Sequence, residues 1–198
     1  MKIDLTGKKA IVCGSTQGIG RASAVVLAEL GANITLIARN EVELQKTAAA
    51  LPSKGQKHDY IVADFSQPED LRRKVDAYIS SNGPVHILVN NTGGPAGGPI
   101  VNAKSDEFLS AFTNHLLCNQ HLAQATFEGM KSAGYGRIIN IISTSVKQPL
   151  KGLGVSNTIR AAVGNWAKTW ANEVGAFNIT VNNVLPGATG TGRLKSII

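Results

Sequence analysis

With 198 residues, 43% of them hydrophobic and only 17% charged, the chain has the apolar material for one folded domain over 1–198 and lacks the polar bias of a disordered segment. A formal charge of +7 suits phosphorylated ligands or acidic partners, but the cations are scattered without interleaved aromatics, so a solvated basic surface and no nucleic-acid partner are expected. The acid in Met1-Lys2-Ile3-Asp4, the lack of any apolar run near the ~18 residues of a membrane helix, and two cysteines outside any metal-ligand spacing point to a cytoplasmic chain with no membrane or metal partner.

Apolar β-rich runs alternate with helical patterns, as in parallel strands joined by crossover helices. Strands are predicted over 9–13, 34–38, 60–63, 87–90, 137–142 and 179–185. Their nearly continuous apolar character suits a sheet covered on both faces. The first helix is predicted over 21–30, stopped by Gly31, and the second over 41–51, opened by Asn40 with Glu43 in its first turn. Ser66-Gln67-Pro68-Glu69 reads as a capping box with proline in the first turn. Long helices are predicted from Ser105 to about 131 and from Ser156 to about 174, the latter stopped by Gly175. The longest loop, 91–99, follows the fourth strand, at the edge where open α/β sheets bind ligands. The apolar end Ile197-Ile198, soon after the sixth strand, predicts further polypeptide beyond it.

The richest local signal is Gly14-Ser15-Thr16-Gln17-Gly18-Ile19-Gly20, set between a strand and a helix. Gly14 permits a tight turn, Gly18 lets backbone approach a phosphate and Gly20 lets the helix pack on the strand, while the helix N-terminus offers N–H groups to an anion. At the end of the second strand, Ala38 stands where an NAD site would place an acid for the ribose 2′-hydroxyl, and Arg39 follows it. A guanidinium suits the 2′-phosphate of NADP, with the Ser15 hydroxyl as a second contact; the alternative is a solvated arginine at a helix start.

The glycine spacing resembles that of the short-chain dehydrogenase/reductase superfamily, in particular members similar to 3-oxoacyl-(acyl-carrier-protein) reductases. Asp64 after the third strand, Asn90-Asn91-Thr92-Gly93 after the fourth, Asn114 in the long helix, Ser143 after the fifth and Pro186-Gly187 after the sixth carry the resemblance along essentially the whole chain. It implies a Rossmann-like, doubly wound, mainly parallel sheet of six or seven strands with helices on both faces. It also implies that Asp64 and Phe65 meet the adenine ring, that Asn90 to Gly93, with Asn91 and Gly93 among the coenzyme-binding residues, brace the sheet beside the coenzyme, and that Thr191 reaches the nicotinamide carboxamide. A substrate flap and a last strand would lie beyond this chain.

In that superfamily a tyrosine acts as acid/base, a lysine four residues later lowers its pKa, a serine polarises the carbonyl and an asparagine holds a relay water. Counted from Ser143, the tyrosine position falls on Ser156 and the lysine position on Arg160. An aliphatic hydroxyl is a far poorer proton donor than a phenol, and arginine stays protonated. Lys147 and Lys151 are the nearest alternative donors in sequence, and exposed loop lysines are the simpler reading of both; Tyr60, Tyr78 and Tyr135 all fall outside the catalytic helix. The expected function is therefore an NADP(H)-dependent oxidoreductase acting on a carbonyl or hydroxyl of a small-molecule or acyl substrate through Ser143, Asn114, Ser156 and Arg160. The contrary reading is a non-catalytic NADP(H)-binding member, and a weaker one a nucleic-acid-binding role for the basic surface. The resemblance also implies a homodimer or homotetramer built on the long helices, where Trp166 and Trp170 offer an apolar stripe or a core contribution.

Overall fold

The computed structural model describes residues 3–195; Met1, Lys2, Ile197 and Ile198, used in the sequence reading, lie outside them. Strands β1 (Lys9–Cys13), β2 (Asn33–Ala38), β3 (Asp59–Val62), β4 (Ile87–Asn90), β5 (Gly136–Ile141) and β6 (Ile179–Val184) form one sheet of six strands, in the order β3-β2-β1-β4-β5-β6. Every pairing is parallel. The predicted strands are all present, with ends displaced by at most one residue.

β1 lies between β2 and β4, with Val12 opposite Leu36 on one side and Val89 on the other. The winding reverses there, so connections leave on opposite faces and a crevice opens above the C-terminal ends of β1 and β4. Helices α1 (Gly18–Glu29) and α2 (Glu41–Ala49) cover one face, where Val12, Leu36 and Val89 meet Ala24, Ala28 and Leu44. Helices α3 (Pro68–Asn82), α5 (Cys118–Ser132) and α6 (Gly154–Val174) cover the other, where Ile11, Ile37, Leu88 and Ile138 meet Leu71, Val75, Leu122 and Ala167. Alternate residues of each strand thus enter different cores, which is why the strands read as unbroken apolar runs. Each fully buried Leu or Ile contributes about 1.5–3 kcal/mol.

The predicted cap of α2 is present, with Asn40 Oδ1 accepting from Glu43 N at 3.1 Å. Two expectations are corrected. The α3 cap residue is Gln67, without a side-chain cap; Ser66 instead gives its N–H to Asp64 Oδ1, a shorter local bond that competes with capping. The single helix expected from Ser105 is α4 (Ser105–Phe112), a π turn (Thr113–Leu117) and then α5. The wider turn packs beside α3 and α6 and brings His115 to Thr92 in the loop after β4.

Beneath the crevice, Asn90 Nδ2 donates to Asn140 Oδ1 (2.8 Å) and Asn140 Nδ2 to Asn183 Oδ1 (3.1 Å). These amides stand opposite one another in the parallel register and tie β4, β5 and β6 together on the face covered by α6.

Candidate active site

The loop between β1 and α1 is shaped by exclusion. A Cβ on Gly14 would lie 2.6 Å from the Asn91 carbonyl oxygen, and one on Gly20 only 2.3 Å from the Gly14 carbonyl oxygen, so neither position admits a side chain. Gly14 also takes a left-handed φ of 56°. Asn91 Nδ2 donates to the carbonyls of Cys13 and Gly14, both at 3.2 Å, locking the β4 loop to the glycine loop. α1 begins at Gly18, and its N-cap Gln17 provides no side-chain cap for the first-turn N–H groups, the kind of donors an anion can use. Ile19 packs on the α1-side core while Gln17 and Gly18 are exposed.

Arg39 is exposed just past β2. The Ser66 backbone N–H, followed by the Ser66 hydroxyl and the Arg39 charge, holds the Asp64 carboxyl below its ordinary range. An anion at Arg39 would therefore share a rim with a carboxylate that stays ionised. Phe65 is partly buried against the core, and its carbonyl accepts from Cys118 Sγ at 3.0 Å. Burial pushes the Cys118 thiol up to about 12 and Cys13 higher still, leaving both inert.

The Ser15 expectation is corrected. Its side chain is fully buried and Oγ donates to the Ile37 carbonyl at 3.3 Å, so the hydroxyl braces the loop against β2 instead of facing a phosphate. A hydroxyl turned into the sheet edge takes the nearest backbone acceptor, because burial without a partner is costly.

On the other side of the crevice, Ser143 caps the short turn Thr144–Val146, with Oγ accepting from Ser145 N at 3.1 Å and its O–H still able to donate. Ser156 is buried in the first turns of α6. Arg160, one turn later on the same helix face, donates from Nη1 to the Ile141 carbonyl at 2.9 Å, at the end of β5 and two residues before Ser143. Asn114 Oδ1 is buried without a hydrogen-bond partner among the described residues. Such an orphaned acceptor suits a donor brought by water or ligand. Thr144 N donates to the Pro186 carbonyl (3.2 Å), holding the β6 end beside this loop; Gly93 and Gly187 are exposed. Thr191 reaches back to the glycine loop, its side chain 3.3 Å from where a Cβ on Gly18 would stand.

The structure thus gathers the glycine loop, Asn91, Arg39 and Asp64 along one rim and Ser143, Ser156 and Arg160 along the other. Lys151 does not join them; it lines an outer cleft of about 560 Å³ with Ile100, Leu150 and Asn157, and Lys147 is exposed. The tyrosines are used elsewhere: Tyr78 OH accepts from Thr35 Oγ1 (2.6 Å), Tyr60 meets Gln45 and Glu41, and Tyr135 lies under Lys8 and Arg137. Trp166 and Trp170 both donate to Gln120 Oε1, at 2.7 and 2.9 Å, beside a separate groove of about 650 Å³. Among the described residues no His, Cys, Asp and Glu cluster could hold a metal ion, and no helix is long and apolar enough to cross a membrane.

Sequence reasoning missed His115, which is 2% exposed and 2.5 Å through Nδ1 from Thr92 Oγ1. The available signal was a histidine directly after Asn114 in an otherwise apolar stretch.

A family model described as short chain dehydrogenase matches residues 8–198. Carbonyl reductase family member 4 of Danio rerio is 33% identical over 92% of this chain and 76% of its own length. A 3-oxoacyl-(acyl-carrier-protein) reductase of Pseudomonas aeruginosa is 32% identical over 98% of this chain and 79% of its own. Among solved structures, L-sorbose reductase from Gluconobacter frateurii, complexed with NADPH and L-sorbose, superposes with a TM-score of 0.91 at 34% identity, over 97% of this chain and 73% of that one. NAD+-bound xylitol dehydrogenase gives 0.86 at 30% identity, over 93% and 71%.

Proposed function

The chain belongs to the short-chain dehydrogenase family, and from that premise we propose that it is an NADP(H)-dependent oxidoreductase interconverting a carbonyl and an alcohol, with a small or 3-oxoacyl substrate. The observation that carries the reading is the glycine turn in which positions 14 and 20 admit no Cβ, with the start of α1 left without a side-chain cap. Arg39 favours NADP(H) over NAD(H), since a guanidinium pairs with a 2′-phosphate and no acid at position 38 repels it. Asp64 and Phe65 flank the adenine side, and Gly93, Pro186, Gly187 and Thr191 the nicotinamide side. The L-sorbose reductase complex, which holds NADPH, supports this choice by analogy.

A bound nicotinamide would supply or accept the hydride. Ser143 donates its O–H to the substrate oxygen, and Asn114 Oδ1 accepts from a water that feeds protons to the site. Arg160, fixed by Ile141, contributes a permanent positive charge beside the oxygen as it gains negative charge, but cannot itself relay a proton. To complete an alcohol, that oxygen must take a proton, and the Ser156 hydroxyl is a weak source beside the phenol it replaces. Turnover is therefore slow.

The same Ser156/Arg160 pair favours one second reading, a non-catalytic member that binds NADP(H) as a sensor. In either case two copies pair through α4 and α6, where Leu109 and Phe112 are exposed and the Trp166/Trp170 groove lies open.

The deciding experiment measures NADPH oxidation over a ketone and 3-oxoacyl panel for the natural chain, Ser143→Ala and Ser156→Tyr/Arg160→Lys. The oxidoreductase reading expects weak activity abolished by Ser143→Ala and raised about 10²- to 10⁴-fold by the double change. NADPH binding without any turnover in the natural chain supports the sensor.

A further inference from the structure

We infer that Thr92 and His115 are a positioning pair that sets the depth of the coenzyme-side loop against the turn carrying Asn114, an inference that rests on the coenzyme reading above. An imidazole is costly to bury without partners, yet His115 is 2% exposed, and the contact made by its Nδ1 is the 2.5 Å hydrogen bond to Thr92 Oγ1. Thr92 follows Asn91, whose amide grips the Cys13 and Gly14 carbonyls. The β4 loop is therefore clamped from two directions, by Asn91 to the glycine loop and by Thr92 to the π turn.

The π turn is a departure from α-helical geometry that must be held in place, and such turns cluster at functional sites. Asn114, with its orphaned buried Oδ1, is the residue beside His115 on it. A continuous path of covalent and hydrogen bonds thus runs from Gly14 through Asn91, Thr92 and His115 to Asn114. It joins the turn that cradles the diphosphate to the amide that faces the reaction. Apolar side chains at 92 and 115 would fill the same volume, but they would not supply the directional bond that spaces loop and turn.

The test is a fluorescence titration of the full chain with NADPH, alongside thermal melting without coenzyme. Thr92→Val keeps the shape and removes the hydroxyl, His115→Leu removes the ring, and His115→Asn restores a polar atom as many bonds from Cα as Nδ1. Thr92→Val and His115→Leu are each expected to raise the Kd about three- to tenfold. The double variant should be no worse than the poorer single one, and His115→Asn should recover most of the loss. Variants that melt earlier but bind NADPH as the natural chain does, or single effects that multiply in the double variant, overturn the inference while leaving the coenzyme reading intact. Failure of the natural chain to bind NADPH overturns both.

Discussion

On the side of β1, β2 and β4 the site is made of backbone. Glycines lie where a Cβ would meet a carbonyl, helix N–H groups lack a side-chain cap, and the Asn91 amide grips two main-chain oxygens. On the side of β5 and α6 the same frame is kept, with Ser143 capping its turn and α6 packed on the sheet, but the chemistry depends on the identity of a few side chains, and two of these are Ser156 and Arg160. A backbone site fails if the main chain moves, whereas a side-chain site can change its chemistry with the fold untouched. Binding and catalysis are for that reason separable in this molecule.

The same methyl group added on each side should have opposite effects. Gly20→Ala forces a Cβ to 2.3 Å from the Gly14 carbonyl oxygen and 2.7 Å from Asn91 Nδ2. It should cost about 3 kcal/mol in urea denaturation and abolish NADPH binding. In α6, a Cβ on Gly164 would lie 3.4 Å from Val146 and 3.8 Å from Ile142, ordinary contacts, so Gly164→Ala should gain up to about 1 kcal/mol from helix propensity and leave coenzyme binding unchanged. Equal losses at the two positions would erase the distinction.

A smaller effect comes from the far end of β4. Burial, aided by the charges of Lys8 and Lys9, lowers the pKa of His86, whose Nδ1 accepts from Lys9 N at 3.1 Å. The unfolded chain then binds the extra proton more readily than the folded one. The stabilising contribution is fully present above about pH 6.5 and is lost as the pH falls through the lower folded value. His86→Gln should reduce the loss of stability between about pH 7.5 and about pH 5.5, as read by denaturant midpoints, and should not alter NADPH affinity.

The strand ladder was legible because both faces of the sheet are covered, which leaves a period-free apolar run wherever a strand lies. Asn40 and Gly31 were legible as helix boundaries for the same local reason: their chemistry acts within a turn of chain. The π turn was not, since Thr113–Leu117 has the composition of an ordinary helix, with no glycine or proline to mark the departure. Ser66 failed as a cap because the competing Asp64 acceptor lies two residues away, a choice that propensity does not resolve. Ser15 was misplaced because sequence tells that a hydroxyl stands in the loop, but not which way it turns. The asparagine ladder and the Thr92–His115 bond join residues far apart in the chain, and a lone sequence holds no record of such pairings.

The most direct measurement is a paired titration of the natural chain and Arg39→Ala with NADPH and NADH. The natural chain should bind both saturably, NADPH more tightly. Arg39→Ala should weaken NADPH by about 10- to 100-fold, as for loss of a charge-assisted hydrogen bond, and barely change NADH. Uptake of neither coenzyme at millimolar concentration would contradict the account.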